Sequence, residues 1–220
     1  MKQIDSEKKL DRLKIDKLLK TIYSNNTTEE INFISNQLLQ ILDDFSEKSA
    51  YEEIRDKERW NESHSVLITY ADSIYKNGEA TLITLRKLLS KHFGSLSKVV
   101  HILPFLKSTS DGGFAVSSYD SLEEKFGGWD DLKSISKNHD LMADLVLNHV
   151  SSSHPWVQQF IKSQEPGISN VFSPKQNLDW SNVVRPRSSS LFSQINTEDG
   201  PKQVWTTFGP DQIDLNWHNP

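Results

Sequence analysis

A few carboxylates, a histidine and two arginines are the residues of this chain that could do chemistry. Asp111 lies in the turn STSDGGF, where Gly112 and Gly113 permit tight backbone turns and the close approach of a ligand. A carboxylate there could accept hydrogen bonds from sugar hydroxyls, or the segment could be an ordinary Asp-Gly turn. Phe114, the next residue, could be an apolar platform for a pyranose ring or a core residue.

The histidine candidate follows an apolar segment. The run LMADLVLNHVSSS, from Leu141 to Ser153, leads into Asn148 and His149. Buried parallel strands deliver their carboxyl ends to one rim, where barrel enzymes assemble their sites, so His149 is a site candidate. The alternative is a histidine satisfied at a strand end. Asp144 lies inside the predicted strand, where a charge is costly unless paired. We expect it to point into a polar interior, as a ligand-binding group or as half of a buried ion pair.

Two arginines flank a proline in the second half of the chain. Arg185 and Arg187 surround Pro186, which restrains the backbone so that both guanidinium groups project from a stiffened segment. Because arginine forks match phosphate and carboxylate oxygens, this pair is the best anion-binding candidate. Alternatively, both arginines are tied to Asp179 or to backbone carbonyls.

The last candidates alternate aromatic and polar character. Trp205, Phe208 and Gln212 stand close to Asp211 and Asp214. Two carboxylates could serve acid-base chemistry. Nothing local raises their affinity for protons, which favours a structural role.

Composition excludes several classes of function. The 220 residues are 35% hydrophobic and 25% charged, with a formal charge of -5 and no basic run interleaved with aromatics, so a nucleic acid partner is not expected. No cysteine occurs, which excludes disulfides and thiol nucleophiles.

The start MKQIDSEKKL lacks the apolar core of a signal peptide, and no spanning run of about eighteen apolar residues occurs, so we predict a cytoplasmic protein without membrane contact. Phosphate-loop, dinucleotide-binding, paired-histidine zinc and Gly-x-Ser-x-Gly motifs are absent from the sequence, and no cofactor or metal is expected.

The first sixty residues predict helices. Apolar residues recur at helical spacing, and Thr27 or Thr28 is the expected N-cap ahead of Glu29 and Glu30. The apolar positions are Leu10, Leu13, Leu18, Leu19 and Ile22 in a first helix, and Ile31, Ile34, Leu38, Leu39, Ile41, Leu42 and Phe45 in a second. A third helix is predicted from Tyr51 to Trp60. This part could bind a partner or dimerise, or it could be a scaffold that packs on the following domain.

From Ser65 the pattern changes to strands that alternate with helices. The predicted order is strand Val66–Tyr70, helix Ala80–Phe93, strand Lys98–Leu103, helix Trp129–His139 and strand Leu141–Leu147. The alternation predicts parallel pairing with right-handed crossovers, hence an α/β sheet or barrel. Three strands cannot close a barrel, so the segment is either a small open sheet or the front part of something longer. After Pro155 we predict one helix, Trp156–Lys162, then a long loop-rich stretch with one strand, Gln203–Phe208.

Taken in order, the motifs resemble a known family. These are LITYAD, VVHILPF, SDGGF, GGWDDL, DLVLNHVSS, VVRPR and VWTTFGPDQIDLN. Together they look like the amino-terminal part of glycoside hydrolase family 13, the α-amylase family, in its sucrose phosphorylase-like subfamily. The resemblance covers residues 60–220. The helical preface leading into RWNESHSVLITYAD is similar to the glucosylglycerate phosphorylase branch.

The resemblance implies a fold and an activity. The fold would be a partial TIM (β/α)8 barrel: a helical extension in residues 1–63, three β/α units in residues 64–154, and part of an inserted small domain in residues 155–220. The reaction would be retaining phosphorolysis of an α-glucoside by inorganic phosphate to give glucose 1-phosphate. In the family the nucleophile, the acid/base and the transition-state-stabilising aspartate follow later strands. The chain would therefore be an amino-terminal fragment without catalytic residues, inactive alone.

The family's binding residues carry over by position. The resemblance assigns substrate contacts to Asp111, Phe114, His149, Phe208 and Gln212, phosphate or anion binding to Arg187, and a site-supporting role to Asp144 and Asn148. Val184 departs from the pattern, because sucrose phosphorylases carry a tyrosine there, which puts sucrose as the donor in doubt. Calcium, used by many amylases, has no clear ligand set. An amylase-type hydrolase and a non-catalytic carbohydrate-binding module are the alternatives.

Overall fold

The computed structural model of the chain describes residues 2–48, 64–94, 96–175, 179–185 and 187–220. The chain divides into two compact units, Met1–Arg59 with Pro220, and Trp60–Asn219. The predicted third helix, Tyr51–Trp60, and Pro186 lie outside the described residues. No helix in the described ranges is both long enough and apolar enough to cross a membrane.

The elements follow one another along the chain as two helices, then mixed strands and helices. In order they are α1 (Lys2–Ile22), α2 (Thr28–Lys48), β1 (Val66–Thr69), α3 (Thr81–His92), β2 (Val99–Ile102), β3 (Leu106–Ser108), β4 (Val116–Leu122), α4 (Trp129–Ile135), β5 (Asp140–Ala143), β6 (His149–Ser151), α5 (Pro155–Ile161), α6 (Gly167–Asn170), β7 (Phe192–Thr197), β8 (Gly200–Trp205) and β9 (Gln212–Asp214).

The first unit contains the predicted helical pair. A capping box begins α2: the Thr27 backbone N–H donates to Glu30 Oε2 at 2.7 Å, and the Glu30 N–H donates to Thr27 Oγ1 at 3.3 Å. This confirms Thr27, one of the two predicted residues, as the N-cap. The connection is short and the helices contact each other, so they form an antiparallel hairpin. Among residues 12–45, whose burial is described, Leu19, Ile31 and Ser35 are the buried ones.

The second unit is built on the predicted parallel sheet. Its three strands lie in the order β1-β2-β5, with Val66 opposite Val99 and Val99 opposite Asp140. Each parallel step is bridged by a helix, α3 between β1 and β2 and α4 between β2 and β5. The alternation therefore gives an open segment of a (β/α)8 barrel, as predicted. One apolar core includes both helices and the sheet: Leu82, Leu85, Leu89, Val100, Ile102, Leu132 and Ile135.

The third strand is shorter than predicted, and the prediction that it ends in Asn148 and His149 is wrong. The strand stops at Ala143, so Asp144 lies just beyond it, and His149 begins the separate strand β6. In the intervening segment, side chains take the backbone acceptors that a longer strand would have used. Tyr119 Oη donates to the Val146 carbonyl at 2.5 Å, and Trp217 Nε1 donates to the Leu147 carbonyl at 3.2 Å.

Antiparallel pairs that the sequence did not predict surround the sheet. β3 pairs with β4, β6 with β9, and β7 with β8. The stretch after Pro155 is therefore richer in strands than predicted, and the predicted strand Gln203–Phe208 is displaced to Gly200–Trp205. A second core lies beneath these pairs and consists of Val150, Val157, Phe160, Val171, Val204 and Ile213. This core supports β6 and β9, which carry the residues described next.

Candidate functional site

The site begins at a strained turn after β3. Asp111 opens a single 3-10 turn, Asp111–Gly113, with a φ of 56°, an uncommon value for a residue with a side chain. Gly113 has a φ of 105°, and a Cβ atom there would collide with the Pro104 carbonyl. The backbone therefore requires glycine at 113, and the φ of 61° at Gly112 also favours glycine. The turn holds the Asp111 carboxylate toward β9.

Gln212 joins two of the predicted site residues. Gln212 is buried on β9, and its Nε2 donates to Asp111 Oδ2 at 2.9 Å. The same nitrogen lies 3.3 Å from His149 Nε2. β6 and β9 form one antiparallel ladder in which Ser151 is opposite Gln212 and His149 is opposite Asp214, so His149 and Gln212 are diagonal neighbours. Residues separated by 101 positions in the chain, Asp111 and Gln212, thus meet beside His149.

The His149 ring can use its proton in two ways. With the proton on Nε2, it donates to the Phe114 carbonyl at 3.1 Å. With the proton on Nδ1, its free Nε2 accepts from the Gln212 amide. Burial lowers the pKa of His149, and the nearby charges of Asp214 and Asp111 and the contact with the Phe114 carbonyl offset part of that effect. The ring is therefore neutral near pH 7, with one donor and one acceptor nitrogen, and Nε2 is the nitrogen that faces the Phe114 carbonyl and Gln212.

Phe208 and Arg187 extend the cluster outward. The Phe208 ring lies 4.9 Å from the His149 ring, and the Arg187 guanidinium carbon lies 5.6 Å from the Phe208 ring centroid. Both side chains are exposed, so the guanidinium is available on its solvent side. The neighbouring Arg185 differs, because its Nη1 donates to the carbonyls of Thr206 and Thr207. Of the predicted pair, one arginine is tied to the backbone and the other faces the cluster.

A carboxylate below the turn ties three segments together. Asp211 Oδ2 accepts hydrogen bonds from Thr109 Oγ1 at 2.6 Å and from Ser110 Oγ at 2.7 Å, and Oδ1 accepts from the Ser152 hydroxyl. Burial alone would raise the pKa of Asp211, but the hydrogen bonds from Ser152, Thr109 and Ser110 bring it below its ordinary value. Asp211 therefore stays ionised and fixes the turn to β6. The three hydroxyl partners lie far from Asp211 in the sequence, which therefore did not show that they converge on it.

Asp214 is a second fixed carboxylate. Its Oδ1 accepts from the Thr207 N–H at 3.1 Å, and its Oδ2 accepts from Thr207 Oγ1 at 2.6 Å and from Asn148 Nδ2 at 3.2 Å. The predicted support residue Asn148 thus braces Asp214, which lies opposite His149 on the ladder. These contacts agree with the structural role that the sequence favoured for both late aspartates.

Asp144 is placed by a hydrogen bond with a histidine. Its Oδ2 lies 2.9 Å from His101 Nε2, and His101 belongs to the neighbouring strand β2. The contact is half-buried, and both alternatives for Asp144, a ligand-binding group and half of a buried ion pair, stay predictions. His101 was not among the predicted site residues, although its position in VVHI, between two buried valines and a buried isoleucine, marks it as an inserted polar group.

A cavity of about 240 Å³ lies on the other side of the glycine turn. It is bounded by Tyr70, Asp72, Glu123 and Lys125, together with the 108–110 segment and the turn glycines. Lys125 Nζ lies 2.7 Å from Asp72 Oδ2, so this cavity carries a paired charge. Across the described ranges, no three His, Cys, Asp or Glu side chains are grouped as a metal site would require.

The chain is a segment of a (β/α)8-barrel protein. This class is defined by the parallel sheet with alternating helices and by the polar cluster on loops and short strands beside it. Its family is established by a match to the α-amylase catalytic domain over residues 92–220. The chain belongs to the α-amylase family.

Individual relatives agree with the family match. The chain is 42% identical over 161 residues to glucosylglycerate phosphorylase from Allomeiothermus silvanus, which covers 73% of this chain and 29% of that protein. It is 36% identical over 168 residues to the Escherichia coli glucosylglycerate phosphorylase, covering 76% and 30%. The crystal structure of sucrose 6F-phosphate phosphorylase from Thermoanaerobacter thermosaccharolyticum superposes with a TM-score of 0.62 at 34% identity, covering 70% of this chain and 33% of that one. The chain thus spans about a third or less of the length of these relatives.

Proposed function

We propose that this chain forms the sugar-binding and anion-binding part of a glucosyl-transferring phosphorylase that acts on an α-glucoside and inorganic phosphate. The single observation that carries the proposal is the hydrogen-bonded group Asp111–Gln212–His149, with Phe208 and Arg187 stacked on it. The family membership and the phosphorylase relatives support the reaction class. Identity is higher to glucosylglycerate phosphorylases than to the Streptococcus mutans sucrose phosphorylase, at 33%, which favours an anionic acceptor.

The group suits a hexose that carries several hydroxyls. The Asp111 carboxylate can accept further hydrogen bonds besides the one from Gln212, and a sugar hydroxyl could replace the Phe114 carbonyl as the acceptor from His149 Nε2, so Asp111 and His149 could bond adjacent hydroxyls of one ring. Gln212 is shared between them and keeps their spacing fixed. The rings of Phe208 and half-buried Phe114 would form apolar walls for the carbon face of the sugar.

The anion position is Arg187. Its guanidinium rests on the Phe208 ring, which orients its donor edge without consuming the donors. Phosphate or a carboxylate on the acceptor could then be bound in a bidentate manner. Because Phe208 also contacts His149, the anion would lie next to the sugar, as transfer of a glucosyl unit to phosphate requires.

The chemistry itself needs two further carboxylates. In a retaining double displacement, one carboxylate displaces the leaving group and forms a glucosyl-enzyme. The second donates a proton to the leaving oxygen and later assists phosphate, which releases glucose 1-phosphate. We assign Asp111 to substrate binding, and the other two described carboxylates of the cluster have other partners: Asp211 accepts from three hydroxyls, and Asp214 accepts from Thr207 and Asn148. We therefore propose that the 220-residue chain binds but does not turn over.

Binding is tested by calorimetry on the 220-residue chain with glucose. We expect measurable binding, weakened at least about tenfold by Asp111→Asn, because a carboxylate bonds hydroxyls more strongly than an amide. Asp199→Asn is the matched control and should bind glucose normally. Asp199 lies in the β7–β8 hairpin, outside the cluster, where it pairs with Lys202. Equal affinity in wild type and Asp111→Asn would contradict the proposal.

Turnover is tested by incubating the same chain with phosphate and glucosylglycerate or sucrose. We expect no glucose 1-phosphate and no free glucose. Release of free glucose alone would favour the amylase-type hydrolase, and release of glucose 1-phosphate would contradict the inactivity of the isolated chain. Sugar binding without turnover in a longer form of the protein would favour a binding module.

The division of the chain is also a proposal. We assign residues 1–63 to a helical extension, 64–154 to the first three β/α units, and 155–220 to part of an inserted small domain. The antiparallel pair β7–β8, which lies wholly within residues 155–220 and differs from the parallel sheet, supports the last assignment. The cytoplasmic location stays a prediction.

A further inference from the structure

The helical hairpin carries an apolar stripe that is only half covered. On α2, apolar and small residues follow one helical face from Ile31 through Phe45. The first part, Ile31 and Ser35, is buried. The second part is open: Leu38 is 39% exposed, Ile41 63%, Leu42 54% and Phe45 64%. These four residues have the spacing i, i+3, i+4, i+7, which is the spacing of a helix-packing face.

α1 has a smaller open patch at the other end of the hairpin. Leu18 is 61% exposed and Ile22 is 63% exposed, and they are one helical turn apart near the interhelical loop. The stripe on α2 lies toward the opposite end, because Phe45 is near the end of α2. The two patches are therefore displaced from each other along the hairpin by about 20 Å, from the rise of 1.5 Å per residue.

This displacement suits a second copy of the same hairpin. When two hairpins pack with their loops at opposite ends, the α2 stripe of each lies against the Leu18–Ile22 patch of the other. A two-fold axis repeats the contact, so both patches are covered by one symmetric arrangement. The six side chains expose on the order of 100 Å² each, about 1,200 Å² for two copies, which reaches the lower limit of a stable interface.

Charge supports the same pairing. α1 carries seven basic and four acidic residues, a net charge of +3, and α2 carries five acidic residues and one basic residue, a net charge of -4. In the proposed arrangement α2 of one copy packs beside α1 of the other, so opposite charges are adjacent at the rim. Pairing of α2 with α2 would place like charges together and is disfavoured.

We propose that the hairpin of residues 2–48 is a homodimerisation surface, in which two copies form a four-helix bundle with their loops at opposite ends. The proposal does not depend on the function of the sugar site. It selects the partner-binding alternative over the scaffold that packs on the same chain's second unit.

The chain contains no cysteine, so cysteine cross-linking reports on this interface without background. We expect the chain to sediment at twice its mass of 25.2 kDa. The double variant Leu18→Cys with Phe45→Cys should form a covalently linked dimer on oxidation. Within one hairpin these positions are too far apart for a disulfide, which needs Cα atoms within about 7 Å. Each single variant is the matched control and should stay uncrosslinked, because the two copies of either position lie at opposite ends.

Charge insertion separates this interface from association through the open sheet. Ile41→Glu with Phe45→Glu should weaken the dimer at least about tenfold, since it would bury charges without partners. Ile68→Glu with Leu145→Glu places two charges on exposed apolar positions of the second unit, at 61% and 75% exposure, and should leave the dimer intact. A monomeric wild type, an uncrosslinked double cysteine variant, or a dimer broken only by the second pair would overturn the proposal.

Discussion

The polar cluster and the parallel sheet of the second unit differ in a simple way. The polar side chains of the cluster have hydrogen-bond partners, whereas the sheet leaves apolar side chains exposed to solvent. Asp211 is held by three hydroxyl groups, Asp214 by Thr207 and Asn148, and Gln212 bonds Asp111. The sheet instead leaves apolar surface open, with Ile68 61% and Met142 38% exposed. The cluster is therefore held by side-chain hydrogen bonds and a short ladder among segments that are all described, and its geometry does not require a closed barrel.

The largest expected difference is in the free energy of unfolding, between a substitution in the core beneath β6 and β9 and one on the open face of the parallel sheet. Phe160 is 2% exposed in the core beneath β6 and β9, so Phe160→Ala should lower the free energy of unfolding by about 3–5 kcal/mol. Ile68→Ala on the open sheet face should change it by less than about 0.5 kcal/mol. Urea denaturation measures both. Similar losses in the two variants would mean that the sheet face is covered in solution.

A smaller difference in stability is expected between alanine substitutions in the Asp111–Gly113 turn and in the β7–β8 turn, which contains a glycine of similar backbone conformation. Gly113 and Gly200 both have a positive φ, at 105° and 107°. A Cβ at Gly200 meets nothing within 4 Å, whereas one at Gly113 collides with the Pro104 carbonyl. Gly200→Ala should cost about 1–3 kcal/mol for backbone strain alone. Gly113→Ala should cost at least about 1 kcal/mol more and should abolish glucose binding.

Thermal unfolding and calorimetry on the two glycine variants provide the comparison. If Gly113→Ala retains wild-type affinity for glucose, the turn does not position Asp111, and the account of the cluster is wrong at its first step.

The smallest expected effect is the lowered pKa of His149 and the pH dependence of stability that it causes. Burial lowers the pKa of His149, so its NMR titration midpoint should lie below the ordinary value of about 6.5. The unfolded chain then binds the proton more readily than the folded chain. The contribution of His149 to stability is therefore complete above about pH 6.5 and declines as the pH falls below it. His149→Gln should remove this part of the pH dependence.

A companion variant checks the sign. The charge of Asp214 raises the pKa of His149, so Asp214→Asn should move the titration midpoint further down. A midpoint at or above 6.5 in the wild type would show that the ring is more accessible than its surroundings indicate.

The sequence predicted the regular part of the fold because that part follows simple periodicity. Strand β1 and helix α3 were expected within one or two residues of their observed bounds, since apolar spacing and turn residues mark them. The third strand was predicted too long. The apolar run through Leu147 is continuous in sequence, but its backbone is satisfied by Tyr119 and Trp217 instead of a neighbouring strand.

The site was predictable in its members but not in its connections. Asp111, His149 and Gln212 were chosen from residue type and family motif, and the structure brings them together. The ladder between β6 and β9 places His149 beside Gln212. It joins segments about sixty residues apart, and no local sequence pattern predicts it. The tie from Asp211 to Thr109 and Ser110 is equally non-local.

The most direct test of the central claim is the ratio of the affinities for glucose 1-phosphate and glucose, measured by calorimetry in wild type, Arg187→Gln and Arg185→Gln. The claim is that a sugar pocket and an anion site adjoin in this cluster. It predicts that the wild type prefers glucose 1-phosphate and that Arg187→Gln loses this preference while it retains affinity for glucose. Arg185→Gln should keep the preference, because Arg185 donates to backbone carbonyls. An unchanged ratio in Arg187→Gln would contradict the account.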